Sequence, residues 1–181
     1  MKFVVSTSTL LKQLQAVNGA SSSSTVLPIL DNFLFELRNG TLIISATDLQ
    51  TSMTTSLPVE SEENGKIAIP SKILIDTLKT LPDQPISFII DNNTFAIEIK
   101  ADNGRYKLSG ENGEDFPKIP VVEDGSAVEI HASVLAEAIN KTLFAVSNDE
   151  LRPAMTGVYC QLSPEHITFV STDAHKLARY R

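Results

Sequence analysis

Cysteine is nearly missing from this 181-residue chain, Cys160 being the only one. A lone thiol has no disulfide partner and no paired-thiol spacing for zinc, so it fits a reducing compartment, and the cytoplasm is the expected location. Positive charge is short as well: 15 Lys and Arg stand against 22 Asp and Glu, for a net charge of −7. That balance excludes a general polybasic nucleic-acid binder while leaving room for a local basic face. Long apolar runs are also lacking, and no stretch approaches the roughly 20 residues of a membrane-spanning helix, so no membrane partner is expected. Between Lys2 and the first hydroxyl residues stand only Phe3, Val4 and Val5, fewer than the roughly 7–15 apolar residues of a signal peptide. Asn92-Asn93-Thr94 and Asn140-Lys141-Thr142 spell glycosylation acceptors, read as chance in the absence of an export signal. No Gly-Lys-Ser/Thr phosphate loop occurs, and neither nucleotide nor other cofactor nor metal is expected.

What is present is repetition. Lys2 to Val17 reads as a short strand feeding a helix, with Ser6, Thr7 and Ser8 offering oxygens to the helix start. Shifted by sixty-four residues, the same design returns over Lys66 to Leu81, placing Leu10, Leu14 and Val17 on Leu74, Leu78 and Leu81 at helical spacing. A third copy over Val128 to Leu143 places Leu135 on Leu10 and Ile139 on Leu14.

After the first helix, Phe33, Phe35 and Leu37 alternate with Leu34, Glu36 and Arg38, which predicts a strand with one apolar face. Asn39-Gly40 supplies a tight hairpin turn, and Leu42, Ile44 and Ala46 continue the alternation. A further strand carries Met53, Thr55, Leu57 and Val59. The second unit repeats the pattern through Ile86, Phe88, Ile90 and Phe95, Ile97, Ile99, ending on a strand with Tyr106 and Leu108. In the third, Pro28 meets Pro153, Phe33 meets Val158, Ile44 meets Phe169, and Thr47-Asp48 meets Thr172-Asp173, without a gap.

The expected organisation is a first domain over 1–120, built from units 1–64 and 65–117, and a second over 121–181 that corresponds to only half of the first. An unfinished domain of that kind is expected to expose a sheet edge or an apolar helix face and to associate through it.

This arrangement, together with Met1-Lys2-Phe3, Leu27-Pro28-Ile29-Leu30, Gly40-Thr41-Leu42, Thr47-Asp48-Leu49, Asp115-Phe116-Pro117 and Thr172-Asp173-Ala174-His175-Lys176-Leu177, resembles the bacterial sliding clamp family, the beta subunit of the replicative DNA polymerase. The resemblance covers the whole chain. It implies an α+β DNA clamp fold, with antiparallel sheets outside and helices lining the inner face of a ring, three domains per chain and two chains per ring, the third domain lying outside these residues. The implied function is replication processivity by encircling duplex DNA without chemistry of its own.

The resemblance further implies sequence-independent contact with double-stranded DNA through Lys12, Lys72, Lys79 and Lys141, with Ser24 and Arg152 on two loops; Ser24 stands where relatives reach DNA with an arginine. Composition alone reads the same lysines as ordinary solvent-facing residues. Thr172, Ala174, His175, Lys176 and Leu177 would form one wall of a pocket for short linear motifs of the polymerase and the clamp-loader subunits, with Leu177 giving apolar contact, Thr172 and His175 polar contact and Lys176 the rim. Tyr106 and Leu108 would meet the next subunit in a head-to-tail homodimer, although strand alternation also suits them to a core. Two other readings remain open: a small hydrolase using Asp173 and His175, for which neither nucleophile nor third ligand stands at a known spacing, and a repeat-built protein-binding module without a DNA role.

Overall fold

The computed structural model describes residues 1–21, 27–61, 63–119 and 128–181, and the chain falls into two compact units, Met1–Val121 and Val122–Arg181. In the first, β1 (Lys2–Ser6) leads into α1 (Thr7–Val17), followed by β2 (Asn32–Arg38), β3 (Thr41–Thr47) and β4 (Ser52–Pro58). The same succession follows as β5 (Gly65–Pro70), α2 (Ser71–Lys79), β6 (Pro85–Ile90), β7 (Ala96–Ala101) and β8 (Gly104–Ser109), with a two-residue β9 (Glu111–Asn112) at the end.

The strands form two antiparallel sheets, ordered β1-β6-β7-β8 and β4-β3-β2-β5-β9. Each half of the repeat thus gives its first strand to the other half's sheet. Phe3 of β1 lies opposite Phe88 of β6, and its counterpart Ile67 of β5 lies opposite Phe35 of β2. Val5 faces Ile86 as Ile69 faces Phe33, so the two exchanges share one register. Val4 and Glu60 close a bridge between the sheets by mutual amide-to-carbonyl hydrogen bonds of 3.0 and 3.2 Å.

The core lies where the exchange occurs. Phe3, Phe35 and Phe88 are fully buried, the rings of Phe3 and Phe88 stacking with centroids 4.7 Å apart. Leu10, Leu14, Val17, Leu74 and Leu78 enter the same core from the helices, and Leu81 packs at its margin. Apolar residues every three or four positions bury one side of each helix, while Lys12, Lys72 and Lys79 remain on exposed surface. Asn39 and Gly40 both take positive φ, 46° and 74°, as the expected hairpin requires. Leu34, expected on the polar side of β2, is buried beneath Phe116 together with Ala68, because the segment after β9 covers that face of the sheet.

The start of α1 corrects the expected capping. None of Ser6, Thr7 and Ser8 caps the helix from within; Ser6 is the N-cap residue without a side-chain cap bond. The free amides are met from the loop before β6: the Ser8 amide donates to Asp83 Oδ1 at 3.1 Å and the Thr7 amide to the Gln84 carbonyl at 2.9 Å. Helix-start amides donate to any well-placed oxygen, and a carboxylate brought by the fold accepts with the advantage of its charge.

The second unit contains α3 (Ala132–Thr142), β10 (Tyr159–Leu162), β11 (Ile167–Thr172) and β12 (Leu177–Tyr180), with sheet order β10-β11-β12. Its registers reproduce those of β2-β3-β4: Cys160 faces Phe169 as Phe35 faces Ile44, and Phe169 faces Tyr180 as Ile44 faces Thr55. The repeated helix positions differ in burial. Leu135 is 36% and Ile139 38% exposed, where Leu10 and Leu14 are at 0%, and Ala138 and Thr142 are the buried residues of α3. Among the described residues the second unit has no counterpart of α2 or β5 to cover them. No helix among the described residues is long and apolar enough to cross a membrane.

Candidate functional site

Three surfaces carry the residues singled out from sequence. On the first, α1 packs beside α2, bringing Lys12, Lys72 and Lys79 onto neighbouring helices. Lys72 and Lys79 line one groove of about 570 Å³ with Asn18, Ser21, Asp31 and Asp76. Lys79 Nζ stands 3.9 Å from Asp76 Oδ1, both side chains more than half exposed, a pair too solvated to quench its charge. Neither Lys12 nor Lys72 has an ion-pair partner among the described residues. Ser24 lies outside the described residues, whereas Ser21, which no sequence signal marks, lines the groove.

In the second unit, Lys141 is tied more closely. Its Nζ is 3.1 Å from Glu137 Oε1 and 5.2 Å from the centre of the Tyr180 ring. The hydrogen bond from Lys141, followed by one from Tyr180, holds the Glu137 carboxyl below its ordinary range, and the same Glu137 contact raises Lys141. The i,i+4 spacing of Glu137 and Lys141 is legible in the sequence; the contribution of Tyr180 from β12 is not. Arg152 Nε is bound by Asp149 Oδ2 at 2.9 Å, so part of its charge is answered locally.

The third surface is the turn between β11 and β12. Thr172 Oγ1 accepts from the Ala174 amide at 3.1 Å and donates to the Lys176 carbonyl at 2.7 Å. Asp173 Oδ1 accepts from the His175 and Lys176 amides at 3.0 and 2.9 Å, and Asp173 Oδ2 holds Lys176 Nζ. The side-chain bond from Lys176, then the two backbone amides, lower the Asp173 carboxyl far below the usual carboxylate range. Ala174 adopts a φ of 75°.

The turn between β3 and β4 is built alike: Thr47 Oγ1 accepts from the Leu49 amide and donates to the Thr51 carbonyl, Asp48 Oδ1 accepts from the Gln50 and Thr51 amides, and Leu49 has φ 74°. Thr-Asp is therefore a turn-forming word in both units.

In this turn the Thr172 hydroxyl and the Lys176 ammonium are both engaged internally, the one on the Lys176 carbonyl and the other on Asp173. The hydrolase reading fails for a related reason. Both Asp173 oxygens are engaged, by two amides and an ammonium, and its contact with His175 is to the backbone amide rather than the ring, so the pair lacks the side-chain contact that a catalytic Asp-His pair needs. What the turn does present outward is His175 and Leu177, the latter 67% exposed.

Tyr106 and Leu108 lie on β8, at the edge of its sheet, half-buried against the main core, while Arg105 and Lys107 alternate outward. Their side chains thus follow the core reading, and the edge itself is formed by the β8 backbone.

Comparison with known proteins agrees with this architecture. Residues 1–120 match the family described as DNA polymerase III beta subunit, N-terminal domain, and residues 129–181 match its central domain. The chain is 33% identical over 180 residues to a beta sliding clamp of Synechococcus elongatus, covering 98% of this chain and 48% of that protein, and 28% identical over 186 residues to one of Staphylococcus aureus, covering 98% and 49%. Among solved structures, the DNA polymerase III subunit beta of Pseudomonas aeruginosa superposes with a TM-score of 0.92 at 30% identity and the sliding clamp of Bacillus subtilis with 0.93 at 27%, each over 99% of this chain and 49% of the other. The chain spans about half the length of the curated relatives it matches. With residues 1–120 and 129–181 both matched, the chain belongs to the DNA polymerase III beta subunit family.

Proposed function

We propose that this chain serves DNA replication as part of a sliding clamp, a non-catalytic ring that encircles duplex DNA and holds the polymerase to it by topology, working in the cytoplasm. The observation that carries the reading is the pairing of α1 with α2: their apolar sides share one core while Lys12, Lys72 and Lys79 stand on exposed surface, two of them along one groove. Lysine contacts to phosphate hold a duplex without reading its sequence, which suits a protein that must slide. The chain's overall negative charge would keep DNA from settling on other surfaces.

In this reading residues 1–120 form the first clamp domain, from units 1–64 and 65–117, and 121–181 the first half of the second. Lys141 and Arg152 extend the DNA-facing set, with weaker pull because Glu137 and Asp149 answer their charge. Ala174, His175 and Leu177 offer the wall for linear motifs of polymerase and clamp-loader subunits, with Thr172 and Lys176 shaping the turn beneath it. The edge strand carrying Tyr106 and Leu108 supplies the head-to-tail subunit contact. The test is retention of the full-length protein on nicked circular DNA against linear DNA after loading with loader and ATP. Persistence on circles with loss from free ends supports a ring, and equal loss from both contradicts it.

A further inference from the structure

Of the eight glycines in the chain, five follow an asparagine: Gly19, Gly40, Gly65, Gly104 and Gly113. Asn-Gly is the pair in which a main-chain nitrogen reaches the preceding side chain most freely, because glycine brings no Cβ to the approach. The fold treats the five differently. Asn64 Oδ1 is held by the Asn39 amide at 2.9 Å, Asn112 Oδ1 by the Glu114 amide at 3.1 Å, and Asn18 Oδ1 by the Ser21 hydroxyl at 3.4 Å. Asn39 and Asn103 are exposed, and neither carboxamide has a hydrogen-bond partner among the described residues. The nitrogen that would attack separates these two. Gly104 is the strand residue that closes the β7–β8 turn opposite Ala101, and the closing residue of a two-residue turn gives its amide to the carbonyl across it. At the β2–β3 turn the closing pair is Arg38 and Thr41, so Asn39 and Gly40 both stand outside the ladder, and the Gly40 amide has no acceptor among the described residues.

We propose that Asn39-Gly40 is a site of spontaneous deamidation, which converts Asn39 to isoaspartate and loosens the turn from the loop it is tied to. The Gly40 amide nitrogen, on losing its proton to solvent base, attacks Asn39 Cγ. A C–N bond forms, the side-chain nitrogen leaves as ammonia, and a succinimide ring remains. Water then opens the ring at one of its two carbonyls. Attack at the former main-chain carbonyl gives isoaspartate, attack at the former side-chain carbonyl gives aspartate, and either product carries a new carboxylate. In the isoaspartate form the main chain runs through the β- and γ-carbons of the former Asn39 and is longer by a methylene. That lengthening falls where the turn is pinned. The Gly40 carbonyl accepts from the Val59 amide at 2.8 Å, and the Asn39 amide donates to Asn64 Oδ1 at 2.9 Å, so the turn is held to the chain between β4 and β5. Val59 in turn precedes Glu60, which closes the bridge to Val4 between the two sheets. A longer turn draws the Gly40 carbonyl off Val59 and weakens the hold on that bridge. The change belongs to the first unit and does not depend on the DNA-facing lysines.

The folded chain, aged in mildly alkaline buffer and mapped by peptide mass spectrometry, should show the exchange of the amide nitrogen for oxygen first at Asn39, with Asn18, Asn64, Asn103 and Asn112 converted more slowly. The same chain aged in denaturant should convert all five at similar rates, because the pair is the same in each and only the fold tells them apart. An isoaspartyl carboxyl methyltransferase supplied with labelled S-adenosylmethionine should place its methyl group on the Asn39 peptide. Ageing should shift the denaturant midpoint of the unchanged chain downward. Asn39→Gln, whose longer side chain closes its ring far more slowly, should keep its midpoint over the same period. Conversion of Asn39 in the folded chain no faster than that of the other four asparagines overturns the proposal, as does an aged chain that carries isoaspartate at this turn with its midpoint unmoved.

Discussion

A threonine and an aspartate recur at one place in each unit, and the recurrence is a matter of backbone chemistry before it is one of function. Each turn puts a residue other than glycine at positive φ, Leu49 at 74° and Ala174 at 75°, and the Thr hydroxyl and Asp carboxylate gather the amides that this conformation leaves pointing inward. Asp48, Asp83, Asp91 and Asp173 all have carboxyls lowered by such bonds, led by the Thr51 amide, the Ser8 side chain, the Asn93 amide and the Lys176 side chain respectively. A lowered folded value means that the unfolded chain takes up protons first. The stabilisation is therefore complete above the unfolded carboxylate range and is lost as pH falls through the folded values. The melting temperature is expected to hold from pH 7 to about 5 and to fall below about 4, with a smaller fall in an Asp83→Asn, Asp173→Asn variant; an identical acid profile for the variant would refute this. Close approach gives a second prediction. A Cβ on Gly113 would meet the Ile67 amide nitrogen at 2.7 Å, whereas one on Gly157 meets nothing within 4 Å. Gly113→Ala should cost about 1–3 kcal/mol in denaturant unfolding, as overpacking does, and Gly157→Ala should leave the midpoint nearly unchanged.

At the scale of elements, the helices separate what is legible in the sequence from what is not. The burial of Leu10, Leu14, Leu74 and Leu78 follows from periodicity alone, since one side of a short helix must be buried whatever covers it. What covers it is set by distant chain, which local pattern does not contain. Thus α1 is capped by Asp83 and Gln84, Leu34 is buried by Phe116, and the residues of β10, Tyr159 to Leu162, carry no mark of whether a partner strand lies beside them. For the same reason one helical pattern gives buried leucines in α1 and α2 and half-exposed residues in α3. Leu14→Ala and Leu78→Ala should each cost about 2–5 kcal/mol, as cavities in a closed core do, and Ile139→Ala less than about 1 kcal/mol. Equal losses at all three positions in chemical denaturation would show that the α3 face is already covered.

For the molecule as a whole, the clamp family is legible from short words in fixed order, while the proposed DNA-facing surface is legible only as lysines on helices. The fold adds that Lys72 and Lys79 share a groove and that Lys141 and Arg152 are partly neutralised by Glu137 and Asp149. A set of exposed lysines acting on phosphate predicts binding that weakens steeply with salt, and a shallower dependence once charges are removed. The decisive measurement is retention of the full-length protein on nicked circular DNA, with Lys12 and Lys79 intact or both changed to Glu. The unchanged ring is expected to stay on circles and run off linear ends, and the double variant to be lost from circles sooner. Retention of the double variant equal to that of the unchanged protein at every salt concentration would be incompatible with a lysine-lined ring.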